Sequence, residues 1–149
     1  GNITDLENFI QNVSRVLKPR GRFVGTCFDG EFVFNQLKNA PFIEDDKNNS
    51  WKISKKYSKN EFNPNESSLG YEIEVYNESI GETFNEYLVN FEYFISMCAK
   101  YNMRLVEKVD FKDIFGEISN IKYGNITAMN EELKTYSFLN SYFIFEKGE

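Results

Sequence analysis

Histidine is absent from the 149 residues. That excludes Ser/His/Asp and Cys/His nucleophilic systems, His-based zinc sites and imidazole acid–base chemistry within this chain. Any chemistry must therefore need little from these residues beyond the placement of reactants, and carboxylates are the first candidates. Glu86 follows Asn85 at the head of an apolar periodic run. There Asn makes a good helix N-cap, and the helix macrodipole favours a first-turn glutamate. Glu44, Asp45 and Asp46 stand in the polar stretch EDDKNNS. They could face a cation, but nothing nearby completes a coordination sphere, so a solvated loop is the better reading and no metal is expected. Glu131 and Glu132 follow Asn130 and read as helix-terminal charges rather than a catalytic pair. Cys27 and Cys98 have neither metal-binding nor redox spacing and read as reduced thiols of an intracellular compartment.

The elements that must position these groups are legible from periodicity. Leu88, Phe91, Ile95 and Cys98 recur at helical steps, so a helix is expected to begin at Asn85 and stop near Asn102, a left-handed cap. Residues 103–111 follow as a strand, with Leu105, Val106 and Val109 among charged neighbours. Earlier, Leu6, Phe9, Ile10, Val13, Val16 and Leu17 predict an amphipathic helix over residues 5–17 with Thr4 as its cap, ended by Lys18-Pro19-Arg20-Gly21. RFVGTCF, residues 22–28, reads as a strand apolar on both faces, which belongs inside a parallel sheet. Its carboxyl end, residues 27–30, lies at the edge where open α/β sheets place ligands.

A short helix is expected over residues 31–39. Residues 51–57 and 70–76 form an antiparallel pair, inserted at about 51–76. Residues 112–128 mix a short helix with a glycine-containing loop. SYFIFEK, residues 141–147, is the last strand, with Phe143 and Phe145 on one face and Tyr142 and Ile144 on the other.

With 41% hydrophobic and 17% aromatic residues, the chain is too apolar for disorder and has room for one domain. A net charge of -6 argues against a generally basic surface that holds long nucleic acid by its phosphates, so a partner would be met locally. Neither a membrane span nor a signal peptide is visible. An opening helix without a preceding strand implies the C-terminal part of a larger α/β domain.

Three stretches, NVSRVLKPRGRFVGTCFDG, NEYLVNFEYFISMCAKYNMRLVEKVDF and the closing YFIFEK, carry a resemblance in their order and spacing. Together they look like the C-terminal half of the mRNA cap guanine-N7 methyltransferases, including the methyltransferase part of large-DNA-virus capping enzymes. The resemblance implies a class I methyltransferase, a Rossmann-like, mostly parallel α/β sheet with its last strand antiparallel. Residues 1–149 would supply the last three strands of that single domain. It implies S-adenosylmethionine as methyl donor, bound by the missing N-terminal half, and the capped 5′ end of mRNA as substrate. It further implies, as partner, that missing half or a capping-enzyme subunit. The work would be done inside the cell: in the nucleus if cellular, in the cytoplasm or virion if viral. This portion alone is expected to be inactive.

On the family's pattern, Glu86 matches a glutamate that reads guanine, a carboxylate able to accept from N1–H and the exocyclic amine. Tyr142 matches a pocket tyrosine if the last strand is shifted by two residues; otherwise Asn140 takes that place. Tyr76 stands near the place of a pocket aromatic, and Phe28 occupies the loop at the ligand edge. Both suit stacking on a base, and both suit core packing equally well. Arg20 departs from the family, which often has glycine there. The rival reading is a non-catalytic methyltransferase-like subunit that stabilises a catalytic partner.

Overall fold

The computed structural model describes residues 3–45, 49–111, 113 and 139–149. Two sheets divide the chain. The first runs α1 (Ile3–Val16), β1 (Arg22–Phe28), α3 (Phe91–Lys100), β6 (Met103–Asp110) and β7 (Asn140–Lys147); its strand order is β1-β7-β6. The second is built between β1 and α3 from α2 (Gly30–Gln36), β2 (Phe42–Glu44), β3 (Trp51–Lys55), β4 (Glu72–Asn77) and β5 (Glu82–Tyr87), in the order β2-β3-β4-β5.

In the first sheet β7 enters antiparallel between β1 and β6, which are therefore parallel to each other without touching. Here the structure corrects the expectation for residues 22–28: β1 has an antiparallel neighbour, and no strand lies on its other side among the described residues. Its faces also differ, since Val24 is exposed while Phe23 packs inward. Helices α1 and α3 cover one face, burying Ile10, Phe94, Met97, Cys98, Met103, Phe143 and Phe145. Phe23, Phe91, Phe94, Phe143 and Phe145 meet mostly edge-on or tilted, the geometry that aromatic quadrupoles favour. Gly25 makes room for this cluster, because a Cβ there would lie 2.6 Å from Phe143 Cζ.

Two sequence features set the ends of α1 and α3. The Lys147 ammonium donates to the carbonyls of Ser14 and Leu17, so β7 caps the C-terminal end of α1. Asn102 adopts φ 62, the left-handed cap its identity predicts. Arg20 also sits at φ 66, where glycine is at ease and arginine is not. The start of α1 lies before the cap expected at Thr4, since Ile3 and Thr4 are already helical.

The largest difference from the sequence reading concerns residues 82–90. They were expected to open the central helix at Asn85, yet Glu82–Tyr87 is the outer strand of the second sheet and α3 is capped by Asn90. The Asn90 carboxamide oxygen accepts from the Tyr93 amide, and its nitrogen donates to Phe62 O. A hairpin makes the difference. Asn77 accepts from the Ser79 amide and hydroxyl, Gly81 takes φ 71, and β5 returns along β4. Consequently the buried face of α3 carries Phe94, Met97 and Cys98, Ile95 is only partly buried, and Leu88 belongs to the other core.

The second core gathers Phe28, Val33, Phe34, Leu37, Trp51, Ile53, Tyr71, Ile73, Val75, Leu88 and Leu139. Residues 51–55 and 72–77 pair antiparallel, as their alternation predicts. Residues 42–44 add a further strand at the start of the polar stretch. Asp45 is buried and accepts from the Ser50 hydroxyl, while Asp46 lies outside the described residues. Also outside them are the short helix and glycine loop expected within 112–128 and the helix start at Asn130, Glu131 and Glu132.

Candidate functional site

The two sheets meet at the carboxyl end of β1. Asp29 leaves β1, caps α2 by accepting from the Phe32 amide, and donates its own amide to Leu139 O. Gly30 then packs against the backbone of Val89, where a Cβ would lie 2.2 Å from the carbonyl oxygen. That contact brings the β5–α3 junction against the β1–α2 turn. It places the strand bearing Glu86 beside the sheet edge where ligands of open α/β folds bind.

Glu86 therefore occupies a strand rather than a first helical turn, and the dipole reading of this residue falls with the helix that required it. It stands opposite Ile73 on the inward face of β4 and β5, between Phe84 and Leu88 along the strand. The side chain is half-buried, and burial raises its carboxyl above the ordinary glutamate value. Among the described residues no cation and no hydrogen-bond donor pairs with it. The thiol of Cys27 feels its charge: burial first, opposed by Lys108 and aided by Asp29, Asp110 and Glu86, pushes that thiol up to about 11. An exposed carboxylate can be hydrated at no cost, but a partly desolvated one without a donor is a place for a ligand's N–H groups.

The other sequence candidates are distributed differently. Phe28 is buried at 6% exposure in the same core as Ile73 and Leu88, so it forms floor beneath the Glu86 strand and offers little surface for stacking. Tyr76 lies on β4 an odd number of residues from Ile73, hence on the outward face of that sheet, opposite Thr83 and beside Lys52. It is thus not brought together with Glu86. Tyr142 and Asn140 share a face of β7, as their spacing requires; Asn140 pairs with Phe28 at the very edge and Tyr142 with Thr26 farther in. Burial, aided by the neighbouring Glu107, raises the pKa of the Tyr142 hydroxyl, and the Tyr142 ring lies 6.3 Å from Phe111.

A polar row that sequence reasoning did not single out crosses the other face of this edge. Ser141 stands between Cys27 and Asp110 in register. Its hydroxyl donates to Asp110 Oδ1 at 2.6 Å. Lys108 reaches the same oxygen at 3.4 Å while lying over the Phe91 ring. The alternation of Lys108 and Asp110 in β6 was visible, but only the pairing with β7 puts them beside Ser141. Among the described residues no group of three or more metal-ligating side chains forms a cation site. Nor do those residues make a glycine-rich cradle for a nucleotide cofactor at the β1 edge: Asp29 is engaged as a cap and Gly30 is closed by Val89.

Comparison with known proteins bears on the fold and the family. A solved structure, the CcbJ methyltransferase from Streptomyces caelestis, superposes with a TM-score of 0.50 at 12% identity. It covers 96% of this chain and 50% of its own, and the likeness shows the class I methyltransferase fold. A protein described as "Probable mRNA-capping enzyme" from Acanthamoeba polyphaga mimivirus is 28% identical over 155 residues, 95% of this chain. The "mRNA cap guanine-N(7) methyltransferase" of Cryptococcus neoformans is 28% identical over 118 residues, 78% of this chain. The chain spans only 13% and 18% of the lengths of these two relatives. The model of the mRNA (guanine-N(7))-methyltransferase domain matches residues 4–141, nearly the whole sequence, and so this chain belongs to that domain family.

Proposed function

We propose that this chain supplies the guanine-holding part of an mRNA cap guanine-N7 methyltransferase, with Glu86 as the residue that reads the base. The observation that carries the reading is the half-buried carboxylate at the ligand edge of the sheet, with no donor among the described residues. Ionised, it accepts from guanine N1–H and the exocyclic amine together, an edge that adenine does not present. These charge-assisted bonds are worth about 1.5–3 kcal/mol each. Asn140 or Tyr142 walls the pocket from β7, and Phe28 supports it from below.

S-adenosylmethionine, when bound, supplies an already activated methyl group, and guanine N7 is already a nucleophile, so no general base is needed. The contribution of these residues is to hold the guanine plane, with N7 free and aimed, in near-attack geometry. That division suits a chain without histidine. The donor's own binding residues are assigned to the part of the domain outside these 149 residues. Residues 1–149 are accordingly read as one portion of a single methyltransferase domain in which β2–β5 are the inserted antiparallel unit, inactive by itself. Its partners are the capped 5′ end of mRNA and the remainder of a capping enzyme, working in a nucleus, or in the cytoplasm or virion of a virus. No helix among the described residues is long and apolar enough to cross a membrane.

The test is Glu86→Gln in the active protein. Methylation of a GpppN end should fall at least tenfold, with weaker binding of GpppG and unchanged binding of the methyl donor; full turnover would remove Glu86 from the site. A second reading, a non-catalytic subunit docked on a catalytic partner, draws support from the outer edge of β1, unpaired among the described residues. It predicts a stable complex whose methylation is insensitive to Glu86→Gln.

A further inference from the structure

The four arginines of the chain are Arg15, Arg20, Arg22 and Arg104. All four stand at one end of the first sheet, the end away from Glu86. Arg15 is in the last turn of α1, Arg20 lies in the turn into β1, Arg22 begins β1, and Arg104 is the second residue of β6. The register joins three of them, since Arg22 and Arg104 both pair with Glu146 of β7 and the Arg20 amide donates to Lys147 O; Arg15 stands on α1, over the opposite face, so the four line the end of the sheet rather than one face. Lys18 joins them in the same turn, where Gly21 N donates to Lys18 O.

Among the described residues at this end, Arg15, Lys18, Arg20, Arg22 and Arg104 stand with Glu146 and Glu149, while the Lys147 ammonium is taken up by the carbonyls that end α1. Glu146 is shared by Arg22 at 3.5 Å and Arg104 at 3.0 Å, and Glu149 pairs with Arg20. The guanidinium side chains remain 55–77% exposed, so these pairs orient the forks without covering them. A chain of net charge -6 has thus gathered every arginine on one edge and left the acidic excess elsewhere. Chance placement along the sequence does not require this, because Arg104 is more than eighty residues from the other three and only the β6·β7·β1 pairing joins them.

We propose that this arginine edge binds the phosphodiester backbone of single-stranded RNA, the transcript that follows the cap. The proposal rests on the guanine-holding role assigned to Glu86, since that role brings an RNA 5′ end to the opposite end of the same sheet. From Arg22 to Phe28 the strand spans about 20 Å, a length that a few nucleotides cover. Arginine suits the task because its planar fork donates two parallel hydrogen bonds to a phosphate. The edge carries sequence-independent affinity and keeps the body of the transcript in place while the cap enters the pocket.

The test is fluorescence anisotropy with an uncapped 20-nucleotide RNA and the same RNA ending in GpppG, over a range of salt. The variant is Arg15→Gln with Arg20→Gly; the first site is an exposed helical position and the second relieves a left-handed arginine, so folding is preserved. Uncapped RNA should bind the variant about fivefold to tenfold more weakly, with the salt slope reduced by roughly 1.4 for two lost single-strand phosphate contacts. The added affinity from the GpppG end should be unchanged. Glu86→Gln should do the reverse, abolishing the GpppG increment and sparing uncapped RNA; failure of that arm alone rejects the guanine assignment and leaves the edge standing. Unchanged RNA affinity and slope in the double variant overturn the edge. Equal displacement by poly-glutamate of matched charge also overturns it, pointing to an acidic protein segment instead.

Discussion

The chemistry proposed here turns on a single carboxylate whose setting makes folding and binding pull in opposite directions. Burial raises the Glu86 carboxyl, so the ionised form is disfavoured in the folded chain relative to the unfolded one. With the folded pKa above the unfolded one, the group's contribution to stability is greatest at low pH and is lost as pH rises through the window from 4.5 up to the raised value. Guanine recognition needs the carboxylate and runs the other way, weakening as pH falls through the same window. Glu86→Gln should therefore stabilise the fold modestly at pH 7, by a higher midpoint in urea, while weakening GpppG binding about tenfold to a hundredfold. A variant that loses stability and keeps its ligand would reverse both assignments. Arg20 offers a second residue-scale prediction. At φ 66 an arginine is strained, so Arg20→Gly should stabilise by roughly 0.5–1 kcal/mol in denaturant unfolding, less the small loss of its exposed pair with Glu149. The departure at this position, visible in the sequence against the family's usual glycine, is thus a backbone matter with a measurable cost.

Among the elements, β7 does the most positioning. It pairs on both sides, buries Phe143 and Phe145 under the helices, and sends Lys147 onto the carbonyls ending α1. Gly25→Val would drive a side chain into the Phe143 ring. Because that ring is fixed by Phe23, Phe91 and Phe94, the expected cost is about 1–3 kcal/mol, read as a lower urea midpoint at unchanged slope. The stripe of α1 and the alternation of β7 were legible from their periods, β1 as a short apolar run between Gly21 and Asp29, and β6 as apolar residues among charged ones. The misread element was β5. Thr83, Phe84, Asn85, Glu86 and Tyr87 alternate weakly, and Asn85 reads as a helix cap where the structure uses Asn90, five residues on. Choosing between them needed the hairpin at Asn77–Gly81, whose register is a contact between strands and not a local preference. The same error turned the stripe of α3, which buries Phe94 and Met97 rather than Ile95.

Over the whole molecule, two cores share one edge. Amide exchange should be slowest in β7, paired on both sides, and faster along the outer strands β2 and β5; uniform protection across both sheets would contradict this layout. The sequence by itself determined which chemistry was excluded, through the absence of histidine. It also determined the α/β class, most element positions, and the family, through motifs whose order survives without coordinates. It placed Glu86 in the chain but could not give it an environment. Whether Tyr76 joins that carboxylate, whether Phe28 is surface or floor, and whether four scattered arginines make one edge depend on strand register. Register shifts of one residue reverse every side chain across a sheet, and register is decided by partners far away in sequence. That is why tertiary structure alone put Tyr76 on the far face, buried Phe28, left Glu86 half-desolvated with no donor among the described residues, and gathered the arginines of an acidic chain at one end.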